Sequence, residues 1–440
     1  MYITILFIAT GIIAIYSYQN TVLKLLSPTF WASVSVCAFS GVYVLTYSTM
    51  INDISLKTLL IFLGAIFSVA LGCYTGNRIV IRTKGKRVED GISLHLPKEG
   101  NQEILIAKWK TVVVFVVYLF IAIVRFRNLL TMSGGNFLNL LEAMSTARYY
   151  VTGSDVDVVL SNTYLNQILY ACEIATFIHI YLFLHNLVVL KKKHLYLLLP
   201  LIPDCMARLV TTSRSSFLVL LFAFITCYCF VCVRRGRTRN VLITPKTIVI
   251  ISAFFVVFFA YGRVRNDLSI SLLDNVQMYT SSAIYNFDYY IQNGWNDNPY
   301  FGFYTLQKIY DLFRVKHSYT TTTLPMNVFN THHLRANIYT SLFQTVQDYS
   351  VWGMLLLRFF ETLIGTLIIR KALKAEENDY RIYYMLYFVI IIIYCFVNFP
   401  IGNRFGDYLG NPTVLFRYLL YGWILVKFFL KPILIDYDNS

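Results

Sequence analysis

Apolar runs of about bilayer length recur along the whole chain. Each run is about 20 residues long, which is the length that a helix needs to cross the hydrocarbon core. Only 14% of the 440 residues are charged, too few to cover a water-soluble surface of this size. Amides in hydrocarbon must be hydrogen-bonded within their own segment, and the runs are continuous rather than alternating. The sequence therefore predicts an all-α polytopic membrane protein.

The apolar runs predict about eleven transmembrane helices. They lie at residues 2–17, 30–48, 57–74, 111–130, 164–188, 195–210, 216–233, 247–262, 341–370, 382–399 and 413–430. These spans divide the chain into three parts. Residues 1–262 carry the first eight helices, residues 263–340 form a large loop, and residues 341–440 carry the last three helices.

Four short basic segments predict the orientation. They follow the third, fifth, seventh and ninth predicted helices, at residues 78–87, 191–193, 234–239 and 370–374. One topology places all four on the cytoplasmic side, as the positive-inside rule requires. In that topology the N-terminus lies outside and the C-terminus lies in the cytoplasm. The same rule accounts for most of the net charge of +15, so no nucleic-acid partner is predicted.

The large loop, residues 263–340, is then extracytoplasmic. It is rich in tyrosine, and residues 278–291 have helical spacing of their aromatic side chains. This pattern predicts short helices on the outer membrane surface, with aromatic rings at the interface. Loops of this length are uncommon unless they are functional.

Arginines are placed where the positive-inside rule disfavours them, at the outer helix ends and in the outer loops. They are Arg125, Arg127, Arg148, Arg208, Arg214, Arg263, Arg265, Arg314, Arg335 and Arg404. Ionisable groups at this depth are expensive and are functional by default. The planar guanidinium binds phosphate oxygens in a bidentate manner. Several arginines from different helix ends therefore predict a site for a lipid-linked diphosphate.

Local ion pairs are the structural alternative for some of these arginines. Opposite charges three or four residues apart lie on one helix face. Asp204 with Arg208 and Arg404 with Asp407 have this spacing, as do Arg358 and Glu361 in the ninth predicted helix. Arg214 and Arg335 have no such neighbour, and a functional role is favoured for them and for Arg263.

His332 and His333 are adjacent in the large loop, two residues before Arg335. A histidine can act as a general base near neutral pH. A third ligand at metal-binding spacing is absent from the sequence around them, so no metal site is predicted. Either histidine could also be an inert loop residue.

Two short motifs carry a resemblance to a known family. The first is Asn337-Ile338-Tyr339-Thr340, and the second is Gln347-Asp348-Tyr349-Ser350 followed by Gly353. Together with the arginine turn 212–215, they resemble the bacterial O-antigen (oligosaccharide repeat-unit) polymerases of the Wzy type. The chain departs from the family pattern at Ser350, which stands in place of the first glycine, and in the turn, which has Thr or Ser where Gly is frequent.

The resemblance implies a GT-C-like glycosyltransferase in the bacterial inner membrane. Its donor is a growing glycan on undecaprenyl diphosphate, and its acceptor is a new repeat unit on the same carrier. No cofactor is implied. A chain-length regulator and a flippase are further candidate partners, beside the membrane lipids.

The roles of the candidate residues follow from this chemistry. His333 or His332 would take the proton of the acceptor hydroxyl, and Arg335 would stabilise the diphosphate leaving group. The candidates for binding the lipid diphosphate are Arg214, Arg263, Arg265, Arg125, Arg404, Asn337 and Tyr339.

Two alternatives remain open at this point. An O-antigen ligase would use the same donor with a lipid A-core acceptor. A transporter of lipid-linked oligosaccharide would need charged residues along a path across the membrane. Within the predicted spans, Glu173 and the pair Arg358/Glu361 are the charges that depart from the outer-side distribution.

Overall fold

The computed structural model describes residues 1–21, 23–79, 102–132, 163–210, 214–235, 271–294, 301–313, 326–375, 381–431 and 433–436. Its helices, in chain order, are α1 (Tyr2–Asn20), α2 (Pro28–Leu45), α3 (Leu56–Arg78), α4 (Lys108–Met132), α5 (Thr163–Leu190), α6 (Leu201–Val210), α7 (Arg214–Arg234), α8 (Leu272–Tyr279), α9 (Ser281–Asn293), α10 (Gln307–Leu312), α11 (Ser341–Lys374), α12 (Arg381–Val397), α13 (Arg404–Tyr408) and α14 (Pro412–Ile424). Two small antiparallel sheets pair β1 (Gln102–Leu105) with β4 (Ile433–Asp436), and β2 (Asn327–Val328) with β3 (Arg335–Ala336).

Eight helices in the described segments are long and apolar enough to cross a membrane, by length and composition. They are α1, α2, α3, α4, α5, α7, α11, and α14 together with the π-helical turn Leu425–Phe429 that extends it. The prediction of an all-helical, multi-pass membrane protein is confirmed at this level.

The other three predicted spans have different outcomes. The span 247–262 lies outside the described residues. The span 382–399 corresponds to α12, an apolar helix of 17 residues. The span 195–210 is instead a 3-10 turn followed by α6, which has 10 residues. A helix of that length rises about 15 Å, half the thickness of the hydrocarbon core. Pro200 stands between the 3-10 turn and α6, and because proline has no backbone N–H it cannot continue the hydrogen-bond ladder of a helix from the turn.

The chain forms two compact units. Unit 1 comprises residues 1–95, 269–371 and 391–415, and unit 2 comprises residues 96–268, 372–390 and 416–440. The predicted division at residues 262 and 340 is one of membrane topology and stays a prediction. The described parts of residues 269–340 belong to unit 1, with the first three helices.

In unit 1, α3 and α11 approach each other closely at two glycines of α3. A Cβ atom on Gly72 would lie 2.4 Å from the carbonyl oxygen of Phe359, and one on Gly76 would lie 2.8 Å from Cβ of Thr366. Small residues one helical turn apart let two backbones pack at short distance in a membrane. These glycines therefore set the α3–α11 packing.

One end of unit 1 is held together by two carboxylates. Asp53 accepts hydrogen bonds from the backbone N–H of Tyr2 (2.8 Å) and of Ile3 (3.1 Å), and so caps α1. Burial raises the pKa of Asp53, but hydrogen bonds from the chain's amino group and from backbone N–H groups outweigh it, and the pKa lies below its usual value. Asp288 of α9 accepts from the backbone N–H (2.8 Å) and hydroxyl (2.6 Å) of Ser55. The start of α1, the start of α3 and α9 therefore share this end.

The opposite end of unit 1 is basic. Arg370, near the end of α11, donates to the carbonyl oxygens of Gly76 and Ile79 (2.7 Å for Ile79). These bonds satisfy carbonyls that the last turn of α3 leaves free. Arg78 lies at the same end of α3. The basic residues that begin two of the four predicted cytoplasmic segments are thus at one end of unit 1.

Unit 2 has its own core between α4, α5 and α6. The core cluster comprises Tyr118, Ile121, Ala122, Cys172 and Ala207. β1 is attached to α5 by a buried amide, because Asn186 accepts from the backbone N–H of Ile104 (3.1 Å) and donates to its carbonyl oxygen (2.7 Å).

Candidate functional site

The predicted histidines lie on a short hairpin that precedes α11. Its strands are β2 and β3, and the connecting turn is built on Asn330. The side-chain Oδ1 of Asn330 accepts from the backbone N–H of Leu334 (3.0 Å), and its carbonyl oxygen accepts from the N–H of His333 (3.1 Å). His333 has a φ of 56°, a left-handed conformation that is uncommon for residues other than glycine. The turn thus carries His332 and His333 between the two strands.

Buried amides attach this hairpin to the rest of unit 1. Asn330 donates to Gln277 of α8 (3.3 Å), and Gln277 donates to the hydroxyl of Thr49 (2.7 Å). The backbone N–H of Thr331 donates to the carbonyl oxygen of Thr49 (2.8 Å). The helix α9 contributes Asn286, which donates to the carbonyl oxygens of residues 336 (3.0 Å) and 338 (2.9 Å). The hairpin is therefore held by α8, α9 and the α2–α3 connection, at the end of unit 1 opposite Arg370.

His332 is paired with a carboxylate that the sequence analysis did not assign to it. Its Nδ1 lies 2.9 Å from Oδ1 of Asp274, in the first turn of α8. The side chain of His332 is 53% exposed, whereas that of Asp274 is 15% exposed. A carboxylate at Nδ1 orients the ring and leaves Nε2 available for proton transfer. His332 therefore has the geometry of an oriented base.

The other predicted residues of this segment fall into two groups. Arg335 and Asn337 are exposed, and within the described part of the chain Arg335 has no ion-pair partner. Tyr339 is only 4% exposed, and its hydroxyl accepts from Nδ2 of Asn327 (3.0 Å). Burial raises the pKa of Tyr339 to about 12, although the bond from Asn327 lowers it. Arg335 and Asn337 are thus open to a ligand, while Tyr339 supports the hairpin.

The second resemblance motif anchors a neighbouring turn. Asp348 accepts from the backbone N–H of Tyr304 (3.1 Å) and from both the N–H (2.7 Å) and the hydroxyl (2.7 Å) of Thr305. Gln347 accepts from the hydroxyl of Tyr290 on α9. The bonds to Asp348 attach the turn at residues 301–306 to α11, and the bond to Gln347 attaches α9. The structural role of Asp348 was not predicted, because its partners are 43 and 44 residues away.

Ser350 interrupts α11 with a backbone conformation that suits glycine. Its φ is 62° and its ψ is 178°, a region that is essentially restricted to glycine. Three residues later, a Cβ atom on Gly353 would lie 2.4 Å from Cβ of Tyr349. The backbone at this position is therefore one to which glycine is better suited than serine.

Ser350→Gly is therefore expected to stabilise the protein by about 1 kcal/mol, because glycine adopts this conformation without a steric penalty. Unfolding in mixed micelles with increasing SDS would measure the change. Ser33→Gly is the matched control, since Ser33 lies in the regular interior of α2; it is expected to destabilise by at most about 0.5 kcal/mol, the difference in helix propensity between serine and glycine. A destabilised Ser350→Gly variant would contradict the prediction.

The remaining predicted phosphate ligands are distributed over both units. Arg404 of unit 1 forms the predicted ion pair with Asp407 (2.8 Å). Arg125 of unit 2 is buried, with its guanidinium donating to Oδ1 of Asn166 (3.2 Å). Arg214 begins α7, and the structure describes its backbone only. Arg263 and Arg265 lie outside the described residues. For these arginines, diphosphate binding stays a prediction.

Unit 2 contains a buried charge network that includes the predicted Asp204–Arg208 pair. Arg208 donates to Asp204 (2.9 Å), which confirms that pair, and also to Glu173 of α5 (2.9 Å). The hydroxyl of Tyr118 donates to Asp204, and that of Tyr418 donates to Glu173 (3.1 Å). The sequence did not predict the pairing of Glu173 with Arg208. The isolation of Glu173 in an apolar helix was nevertheless a signal that it needs a partner.

The predicted Arg358–Glu361 pair is also confirmed, at 2.7 Å. Arg358 is 1% exposed, and it additionally donates to the carbonyl oxygen of Ser341 (3.1 Å). These bonds pair the two terminal nitrogens of a buried guanidinium within unit 1, so Arg358 has the contacts of a structural residue.

The hairpin brings together an oriented histidine, an exposed guanidinium and an exposed amide. The histidine can accept a proton from a hydroxyl, and the guanidinium of the same hairpin can bind an anion. Comparison of the chain with family models, with curated proteins and with solved structures finds no match.

Proposed function

We propose that the protein is a glycosyltransferase that polymerises oligosaccharide repeat units linked to undecaprenyl diphosphate into a surface polysaccharide. The observation that carries the proposal is that His332, Arg335 and Asn337 share one hairpin, at the end of unit 1 opposite Arg78 and Arg370. The positive-inside rule assigns the basic end to the cytoplasm. The hairpin would then lie at the outer face of the inner membrane, with the N-terminus outside.

The chemistry at such a site needs few groups. The Nε2 atom of His332 would accept the proton of an acceptor hydroxyl as that oxygen forms a bond to C1 of the donor sugar. The bond between C1 and the diphosphate oxygen breaks, and undecaprenyl diphosphate leaves with the bonding electron pair. Arg335 would stabilise the charge that develops on the diphosphate. Asp274 would stabilise the protonated imidazole, as carboxylates do for catalytic histidines.

The finer architecture belongs to the same proposal. The motifs at 337–340 and 347–353 resemble those of the Wzy-type polymerases. A polymerase of this type would have about eleven transmembrane helices in a GT-C-like arrangement. Residues 269–340 would then form a helical outer platform that is integral to unit 1.

The histidine role can be tested with the purified protein in proteoliposomes that contain lipid-linked repeat units. His332→Gln is expected to lower the rate of polymer formation by about 10²–10⁴-fold, because proton transfer by a positioned side chain contributes that much. His333→Gln is the matched comparison, and it is expected to lower the rate by less than about 10²-fold, the lower end of the range for a positioned proton-transfer group. Gel ladders of the released glycan measure both. Polymer formation by His332→Gln at the wild-type rate would refute the assignment.

A transporter of lipid-linked oligosaccharide is the second candidate function. The observation that favours it is the network of Glu173, Asp204 and Arg208 buried in unit 2, since intramembrane charges often line transport pathways. The same proteoliposomes separate the two functions. A transporter moves the substrate across the bilayer without forming a new glycosidic bond, whereas a polymerase lengthens the glycan. A ligase would transfer the glycan only when a lipid A-core acceptor is added.

A further inference from the structure

Unit 1 contains a cavity of about 410 Å³ at its basic end. The lining comes from the last turns of α1, the start of α2 and the last turns of α3. Its apolar part includes Ile13, Phe67, Ala70 and Leu71. The cavity is therefore a cleft between helices rather than a part of the hairpin site.

The cleft lies beside a surface that faces lipid. Phe67, Leu71 and Tyr74 follow one face of α3, and their side chains are 69%, 45% and 55% exposed. Large apolar side chains exposed on a transmembrane helix are solvated by acyl chains. Acyl chains are therefore the apolar groups available to enter the cleft from the side.

One end of the cleft is polar and positively charged. Arg78 lies in the last turn of α3, and its guanidinium carbon is 4.7 Å from the ring centroid of Tyr74. Arg78 is exposed, and in the described residues it has no carboxylate partner. In the sequence it is followed by Arg82, Lys84, Lys86 and Arg87. An anionic group is the complementary ligand for this end.

Two buried polar atoms in the lining of the cleft also indicate a ligand with a polar end. Thr29 is 4% exposed, and its hydroxyl has no hydrogen-bond partner in the described part of the chain. The Oδ1 atom of Asn77, next to Arg78, also lacks a partner there. An unsatisfied buried polar group is unfavourable, so a ligand that satisfies these atoms gains affinity. Asn77 Oδ1 is an acceptor and requires a donor from the ligand, such as a hydroxyl.

We propose that this cleft binds an anionic glycerophospholipid with a hydroxylated headgroup. One acyl chain occupies the apolar cavity, the phosphate contacts Arg78, and the headgroup hydroxyls bond to Asn77 and Thr29. By the positive-inside rule the site lies in the cytoplasmic leaflet. It is separate from the hairpin site, and its occupancy is independent of the proposed glycan chemistry.

Native mass spectrometry of the full-length protein, titrated with phosphatidylglycerol or phosphatidylcholine, tests the proposal. We expect the wild-type protein to retain one phosphatidylglycerol at least about fivefold more tightly than phosphatidylcholine, as a single arginine at the surface provides roughly this preference. Arg78→Gln is expected to remove the preference. Arg417→Gln is the matched control, because Arg417 also stacks on a tyrosine, with its guanidinium carbon 5.5 Å from the ring centroid of Tyr170; it should leave the preference unchanged.

A second variant tests the acyl chain separately from the charge. Ala70→Phe fills the cleft and leaves Arg78 in place. It is therefore expected to weaken the binding of both lipids by a similar factor. Equal retention of the two lipids by the wild-type protein would overturn the proposal. So would an unchanged preference in Arg78→Gln, or displacement of phosphatidylglycerol by a polyprenyl phosphate at equal concentration, which would assign the cleft to the carrier lipid.

Discussion

Arg335→Ala is expected to abolish polymer longer than a single repeat unit, while the protein still inserts and folds. The side chain is exposed and forms no ion pair within the described segments, so its removal leaves no buried charge behind. If Arg335 stabilises the leaving diphosphate, the loss corresponds to about 10²–10³-fold in rate, as for one donor aimed at developing charge. A surface arginine without a function would change nothing measurable.

The measurement is the chain-length distribution of the surface glycan, seen as a ladder on a gel, from cells that carry the variant. Protein abundance in the membrane fraction is the folding control. Lys57→Ala is the matched control, because Lys57 is an exposed cation at the start of α3, at the same end of unit 1 as the hairpin. It is expected to give the wild-type ladder. Arg335→Lys keeps the charge but loses the bidentate geometry, and is expected to give an intermediate ladder. Arg214→Ala is expected to resemble Arg335→Ala.

A wild-type ladder from both Arg335→Ala and Arg214→Ala would refute the diphosphate site. Labelling experiments that place residues near 335 on the cytoplasmic side would also refute it, because the activated donor is expected at the outer face.

Arg208→Met is expected to destabilise the protein by about 3–5 kcal/mol, because it leaves carboxylates buried without their cation. Arg208 bridges Asp204 and Glu173 within unit 2, and Asp204 is fully buried. The change can be measured as the shift of SDS-induced unfolding in mixed micelles. Reduced abundance in the membrane fraction is expected at the same time.

The triple variant Arg208→Met, Asp204→Asn and Glu173→Gln separates charge from packing. It removes both carboxylate charges together with the guanidinium, so most of the lost stability is expected to return. If the triple variant is as unstable as Arg208→Met, the network acts through its shape and hydrogen bonds rather than through its charges. If Arg208→Met has wild-type stability, the network is not structural.

The sequence predicted the long apolar helices and the ion pairs within a helix, because both depend on residues that are close together in the chain. The apolar runs predicted helices long enough to cross a membrane, because a membrane leaves the backbone no other partner than itself. The ion pairs Asp204–Arg208, Arg358–Glu361 and Arg404–Asp407 followed from a spacing of three or four residues. The position of α6 did not follow, because the hydropathy of its segment conceals the break at Pro200.

The helical, multi-pass character of the chain and the candidate residues of the hairpin could be inferred without the structure. Their exposure and their partners depend on how the chain folds. Asp274 lies 58 residues from His332, and Glu173 lies 35 residues from Arg208. Helical periodicity and hydropathy are properties of neighbouring residues, whereas these pairs depend on how distant segments pack within each unit. No local pattern encodes that packing.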